Sequence, residues 1–306
     1  MTSRTAIGVL AAVVTEVLYG CSFVFTKGAV DLITPAALLA WRFVVALAVL
    51  GVLVAARVVR LTLTRDSVRP LLLLALFQPL LYYAAETLGV QRTTASESGI
   101  IVAIIPVGVL LASWLILGRP PSRGQVVGIL VTFGGVVATV VAGGVRTGFD
   151  PLGYLLLLAA VASYSLYAVF AERDTATTGI DKTFAMVAVG AAAFSALAVG
   201  EAAAGGRLGD LVTLPVTHPE LLTSICYLAI GSSVGAFFCQ AVAIANLGSN
   251  RYSTFIGLST LAALIAAGVV LGERLAPLQL VGGAVIMLGV YLANATPRTT
   301  VEQPQP

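Results

Sequence analysis

Glu16, Arg42 and Glu86 stand in stretches so apolar that no neighbour in sequence could solvate them. A charge in hydrocarbon costs several kcal/mol unless it is paired or wetted, so each is a candidate for handling a charged solute or a proton. Helical spacing gives two of them company. Glu16, Gly20, Phe23 and Lys27 follow at intervals of four, three and four, and Gln78, Tyr82 and Glu86 at intervals of four, with Tyr83 adjoining. Residues three or four apart share a helix face. The two polar stripes are expected to face each other across a wet cavity. A carboxylate exposed there to each side in turn can hold a proton or the amine of a solute, but not both. That competition would couple solute movement to protons. Arg42 nearby opposes protonation, so uncoupled movement stays open.

The elements that position these residues follow from composition. Hydrophobic residues make up 58% of the chain and charged residues 10%, against about a quarter charged in soluble domains. Ten apolar stretches are each long enough to cross ~30 Å of hydrocarbon: about 6–26, 35–56, 70–90, 95–117, 123–143, 152–171, 184–204, 221–245, 253–271 and 277–295. The first is expected to be a retained span, being too long for a signal peptide and lacking a small-x-small cleavage site. The tail from 296 to 306 is polar and proline-rich and is expected to be disordered. Cys21, Cys226 and Cys239 fall within spans, so no disulfide and no metal site is expected. His218, in a loop, is the single histidine, which excludes a histidine proton relay within the membrane.

Orientation follows from the loop cations. With the N-terminus in the cytoplasm, inside segments carry Arg4, Arg57, Arg60, Arg65, Arg69, Arg119, Arg123, Arg173, Lys182, Arg251 and Arg298. Outside segments carry Lys27, Arg92, Arg146, Arg207 and Arg274. That bias predicts a multi-pass protein of the cell membrane with both termini cytoplasmic. It also accounts for the net charge of +3 without nucleic-acid binding.

The second half repeats the first. Leu117-Gly118-Arg119-Pro120-Pro121-Ser122-Arg123-Gly124-Gln125 lies over Leu271-Gly272-Glu273-Arg274-Leu275-Ala276-Pro277-Leu278-Gln279, a shift of 271 − 117 = 154 that also carries Gly128 to Gly282 and Gly135 to Gly289. Five spans is an odd number, so the second copy enters the bilayer inverted, as in many secondary transporters. The expected fold is an all-α membrane protein with ten transmembrane helices in two inverted five-helix repeats, 1–147 and 148–295. The same shift turns Glu86 into Gln240, Tyr83 into Phe237 and Gln78 into Ser232; a shift of 145 turns Tyr19 into Tyr164 and Glu16 into Val161. The acids of the first half therefore face a neutral, aromatic second half with Tyr164, Tyr167, Phe237 and Gln240, which suits an amphipathic or cationic solute. Lys27 maps to Glu172 and Glu97 to Arg251, with signs exchanged. Lys27–Glu97 is then a candidate outer gate and Glu172–Arg251 its inner counterpart; the alternative is solvated interfacial charge. Gly124, Gly128, Gly135, Gly282 and Gly289 make smooth stripes. A symmetric dimer, a seam between halves and ordinary helix packing all fit them, so monomer and homodimer both stay open.

In these features the chain resembles the drug/metabolite transporter superfamily, specifically its EamA-type ten-span members. The match is carried by Tyr19-Gly20-Cys21-Ser22-Phe23-Val24-Phe25-Thr26-Lys27, by Pro35 followed by Trp41-Arg42-Phe43, by the run from Glu86 to Glu97, and by the paired Leu-Gly-x-x-x-x-x-x-Gln segments. Tyr19 replaces the common Trp, and Arg119-Pro120 replaces the Gly-Glu-Arg type of loop that Gly272-Glu273-Arg274 retains. The resemblance implies export of a small metabolite, amino acid or drug, with spans 1–4 and 6–9 around the path and spans 5 and 10 bracing them. The solute is expected near the midplane, against Tyr19, Phe23, Tyr82, Glu86, Tyr164 and Gln240, with Gly20, Trp41 and Arg42 close by.

Gly231-Ser232-Ser233-Val234-Gly235 matches a hydrolase nucleophile pattern, but that pattern needs a strand-turn-helix setting and a histidine partner. Small-residue helix packing accounts for it better, and no enzyme activity is expected. No Gly-x-x-x-x-Gly-Lys-[Ser/Thr] loop is present to power an ATP pump. An uncoupled carrier or channel and a membrane solute receptor remain as alternatives to a secondary transporter.

Overall fold

A computed structural model describes residues 3–147, 150–174, 176–247, 252, 255 and 257–295. Among them there is no strand. Without water, a backbone must satisfy its own hydrogen bonds, and a helix does so within one segment. The helices are α1 (Ser3–Val30), α2 (Pro35–Ala55), α3 (Arg65–Arg92), α4 (Ala95–Leu117), α5 (Arg123–Thr147), α6 (Pro151–Arg173), α7 (Gly179–Ala204), the short α8 (Asp210–Thr217), α9 (Pro219–Leu247), α10 (Gly257–Val270) and α11 (Pro277–Ala295). Eight are long and apolar enough to cross a membrane; α10 and α11 are shorter apolar helices. Leu10, Leu115, Phe133 and Val269 on their outer faces are each more than 60% exposed, as lipid-facing side chains must be.

Local sequence sets the helix ends. The free N–H groups of a first turn need acceptors. Thr34 before Pro35 accepts from the Ala37 N–H, and Asp150 before Pro151 accepts from Leu152 and Gly153. Thr94 with Glu97, and Thr178 with Asp181, form reciprocal capping boxes. The repeated Leu-Gly-x-x-x-x-x-x-Gln segment has one physical meaning in both copies. Gly118 and Gly272 each take φ 65°, a left-handed turn that ends a helix and favours glycine. Gln125 and Gln279 then cap the next helix by accepting the N–H groups of Ser122 and Ala276, at 2.9 and 2.8 Å. The two loops lie at opposite ends of α4: Arg173, at the end of α6, donates to the Ile116 carbonyl beside the first, and Glu273 of the second meets Ala95 and Ser96.

Two helices depart from α geometry in mid-course. In α3 the backbone at Gln78 leaves the helical region (φ −139°, ψ 115°), next to Pro79, and the turn from Leu76 to Leu81 widens to π geometry. Ser163 of α6 donates to the Phe77 carbonyl at 2.9 Å, beside the Tyr82 N–H that the same carbonyl accepts across the widened turn. In α9 the turns Tyr227–Gly235 are also π-helical. The shift of 154 places Gln78 on Ser232, so the two irregular segments correspond.

The glycine stripes form an internal seam. α5 and α11 run antiparallel, Gly128 beside Gly289 and Ala293, Gly135 beside Gly282 and Ile286. A methyl group on Gly289 would stand 2.4 Å from the Thr132 amide nitrogen, so only hydrogen permits this approach. Among the described residues the core falls into two large clusters, Leu38, Leu39, Phe43, Phe194 and Leu228 of α2, α7 and α9, and Ile100, Ile101, Leu157, Ala263 and Ile286 of α4, α6, α10 and α11, and a small third one of Ala12, Ala243 and Tyr252.

Candidate solute site

Arg42 is 3% exposed on α2. Its Nε donates to Ser233 Oγ at 3.0 Å and its Nη2 to Ser232 Oγ at 3.3 Å, both on the π turn of α9. The guanidinium lies over the Tyr83 ring, 4.3 Å from its centroid. Stacking and two hydrogen bonds lock the fork, while Nη1 donates to nothing among the described residues.

Glu86, 4% exposed on α3, accepts from the Tyr82 hydroxyl through Oε1 at 3.4 Å; its Oε2 is buried and has no partner among the described residues. Gln78 Oε1, two turns away on the same helix, is buried and unpartnered as well. Glu86 and Arg42 feel each other's charge but form no ion pair. Between them lie edge-packed rings: Tyr83 on Tyr82 at 4.9 Å, Tyr82 on Tyr164 at 5.6 Å, and Tyr164 near Tyr167 at 5.7 Å. A guanidinium with a spare donor and a carboxylate with a spare oxygen, spaced by tyrosine faces, can hold a small molecule bearing both charges.

The stripe on α1 points elsewhere. Glu16, 3% exposed, accepts from Tyr252 at 2.6 Å and from Ser259 at the start of α10. A methyl on Gly20 would stand 2.2 Å from the Ser259 carbonyl oxygen, so Gly20 is a packing position, and Phe23 is buried against Gly99 of α4. Tyr19 ties α1 to α9, its hydroxyl donating to Gln240 Oε1 at 3.3 Å. Tyr19 and Tyr164 lie within electrostatic reach of both Glu16 and Tyr83, so the rings stand between the two carboxylates.

The other expected positions spread outward. Trp41 donates its indole N–H to the Leu211 carbonyl at 2.8 Å, fastening α2 to α8. Phe237 lines an apolar crevice with Leu50 and Phe184, away from the tyrosines. Lys27 donates to the Val90 and Gln91 carbonyls, neutralising the C-terminal end of α3. Glu97 accepts from Gln279 at 2.8 Å, so Lys27 and Glu97 do not pair in this structure. Glu172 pairs with Arg119 at 2.9 Å, and Arg251 lies outside the described residues.

Sequence reasoning missed several partners. Ser232 and Ser233 serve as acceptors for Arg42; the repeat, which placed Ser232 opposite Gln78, was the available signal. Tyr252 is 236 residues from Glu16 and had no signal at all. Glu273 accepts from the Ala95 and Ser96 N–H groups and the Ser96 hydroxyl, clamping the α10–α11 loop on the start of α4.

A cavity of about 460 Å³ opens at the Asp31 end of the bundle, lined by Asp31, Thr34, Ala37, Gln91, Glu201, Arg207 and Asp210 among others. Ala37 is five residues before Arg42 and Gln91 five after Glu86. At 1.5 Å per residue the cavity floor is about 7.5 Å along the axis from both charges.

A multi-pass helical bundle with ionisable groups buried among its helices and two helices broken in mid-course is the construction of a membrane transporter. The chain belongs to the EamA-like transporter family: residues 6–141 and 151–295 match the family's model. It is 30% identical to the uncharacterized transporter YcxC of Bacillus subtilis over 96% of this chain and 95% of that one. It is 29% identical to a probable terminal-alkyne amino-acid exporter of Streptantibioticus cattleyicolor over 67% of this chain and 66% of that one. In three dimensions it is similar to a solved crystal structure of a protein, with TM-score 0.58, 20% identity and 99% of each chain covered. That likeness shows the fold.

Proposed function

We propose that this transporter is a secondary carrier that exports a small zwitterionic or cationic solute, an amino acid or similar metabolite, by alternating access. The observation that carries the proposal is the pair of buried, opposite charges with an unused polar atom each among the described residues, Arg42 Nη1 and Glu86 Oε2. Arg42 takes a carboxylate and Glu86 an ammonium, with the solute's body against Tyr82, Tyr83 and Tyr164. The amino-acid exporter among the relatives is in keeping with this range of solutes.

Ten spans in two inverted repeats, 1–147 and 148–295, supply two nearly equivalent packings open to opposite sides. Support comes from the two copies of the Leu-Gly loop at opposite ends of α4 and from the corresponding irregular turns of α3 and α9. The loop cations put both termini in the cytoplasm of a cell whose plasma membrane holds the protein. Glu86 binds a proton or the solute's ammonium, never both, which makes export an exchange for protons. Lys27–Glu97 and Glu172–Arg251 are gate pairs that form when their own end is shut.

Counterflow of labelled amino acids in proteoliposomes tests this. A receptor binds without counterflow, and a channel shows flux without trans-stimulation. Glu86→Gln is expected to abolish the part of transport driven by a pH gradient. The same dependence on the gradient in that variant would remove Glu86 from the mechanism.

A further inference from the structure

The connection between α2 and α3 carries a concentration of charge that transport does not use. Segment 57–69 holds Arg57, Arg60, Arg65 and Arg69 against one acid, Asp66; 4 − 1 = +3 equals the formal net charge of the whole chain. All four arginines are exposed, and their side chains make no hydrogen bond or ion pair among the described residues. Three other described cations at this end are engaged. Arg119 pairs with Glu172, Arg173 donates to the Ile116 carbonyl, and Lys182 donates to the Ala171 and Asp174 carbonyls. Arg4 and Arg123 are unpaired too, each a single cation at a separate helix start.

The segment is held in place. Thr62 donates its N–H and its hydroxyl to Asp181 at 2.8 and 2.5 Å, Val59 is 4% exposed, and Thr64 and Ser67 hydrogen-bond each other. It joins the ends of two membrane-crossing helices, so it lies at the membrane–water boundary. Val58 and Leu63 point outward there, 69% and 43% exposed. Unpaired guanidinium groups with exposed apolar side chains beside them at the boundary are complementary to one class of molecule, an anionic phospholipid.

We infer that segment 57–69 is a binding shelf for anionic phospholipid of the adjacent leaflet. Its arginines hydrogen-bond phosphodiester oxygens, and Val58 and Leu63 sit among the upper acyl carbons. This rests on the multi-pass placement and not on the transport mechanism.

The test is native mass spectrometry of the purified full-length protein offered equal phosphatidylglycerol and phosphatidylcholine. The wild type is expected to retain phosphatidylglycerol selectively. Each arginine near an anionic surface is worth about fivefold in binding, so Arg57→Gln/Arg60→Gln/Arg65→Gln/Arg69→Gln should cut the preference at least about tenfold. The corresponding four-lysine variant should keep it. Arg92→Gln/Arg207→Gln, at the opposite end, should leave it unchanged. If the four-glutamine variant is not monodisperse, Arg60→Gln/Arg65→Gln replaces it and should still lower the preference. An unchanged ratio in the glutamine variants would overturn the inference, as would loss of selectivity in the lysine variant. Soluble glycerophosphoglycerol displacing the lipid at equal concentration would also overturn it, by showing a phosphate site without a lipid component.

Discussion

Arg42→Lys separates charge from geometry at the candidate site. The substitution keeps a cation on α2 but removes the fork that reaches Ser232 and Ser233 and lies 4.3 Å from the Tyr83 centroid. Ser233 also donates to the Leu228 carbonyl at 2.8 Å, so it keeps a partner, whereas Ser232, 2% exposed, loses its donor. Burying a hydroxyl without that bond costs about 1–3 kcal/mol, which should lower thermal stability measurably without preventing folding. The larger effect is on the solute. A charge-assisted hydrogen bond from Nη1 to a carboxylate is worth about 1.5–3 kcal/mol, so its loss should raise the half-saturation concentration about 10- to 150-fold. The control is the amine left when the carboxyl group is removed, which never used that bond. Proteoliposome counterflow should show the wild type preferring the amino acid over this amine, and Arg42→Lys losing the preference. Equal preference in both proteins would refute the assignment of Arg42 to the carboxylate.

Two further substitutions probe the frame. Gly289→Leu should force α5 and α11 apart, because even a methyl there meets the Thr132 amide at 2.4 Å. Overpacking costs about 1–3 kcal/mol, read as a lower midpoint of thermal unfolding in detergent, and an unchanged midpoint would mean that the seam is loose. Asp174 lies in the α6–α7 connection, outside the spanning segments. Burial pushes its carboxyl up, but bonds from the Thr177 hydroxyl and the Ala176 N–H and the charge of Lys182, 3.7 Å away, outweigh this and hold it below the usual carboxylate range. A depressed carboxyl stabilises the fold above the unfolded value of about 3.9 and loses that contribution as pH falls through the folded one. Asp174→Asn should therefore lower the unfolding midpoint at pH 7, with the gap closing below about pH 4; a gap independent of pH would show that the charge is not what matters.

Much of this protein was legible in its sequence because the bilayer is a demanding solvent. Outside closed barrels it admits only long apolar helices, so the starts of α2, α4, α5, α6 and α11 could be placed to within a residue from the bounds of the apolar runs. The repeated Leu-Gly-x-x-x-x-x-x-Gln was visible as a pattern, and so was the isolation of Glu16, Arg42 and Glu86, since a charge in an apolar run stands out whatever it touches. Which partner each charge finds was decided by tertiary structure. Helical spacing puts Glu16 and Gly20 on one face of α1, but periodicity does not say which helix that face meets. It meets α10, with Tyr252 ahead of that helix in sequence, so Glu16 is taken by Tyr252 and Ser259 and Gly20 by close packing. Arg42 crosses to Ser232 and Ser233 because the π turn of α9 presents both hydroxyls to α2, a local widening of the helix that no residue pattern in that stretch announced. Glu86 keeps a buried oxygen with no partner among the described residues, a property of what does not surround it, and only the assembled bundle has surroundings.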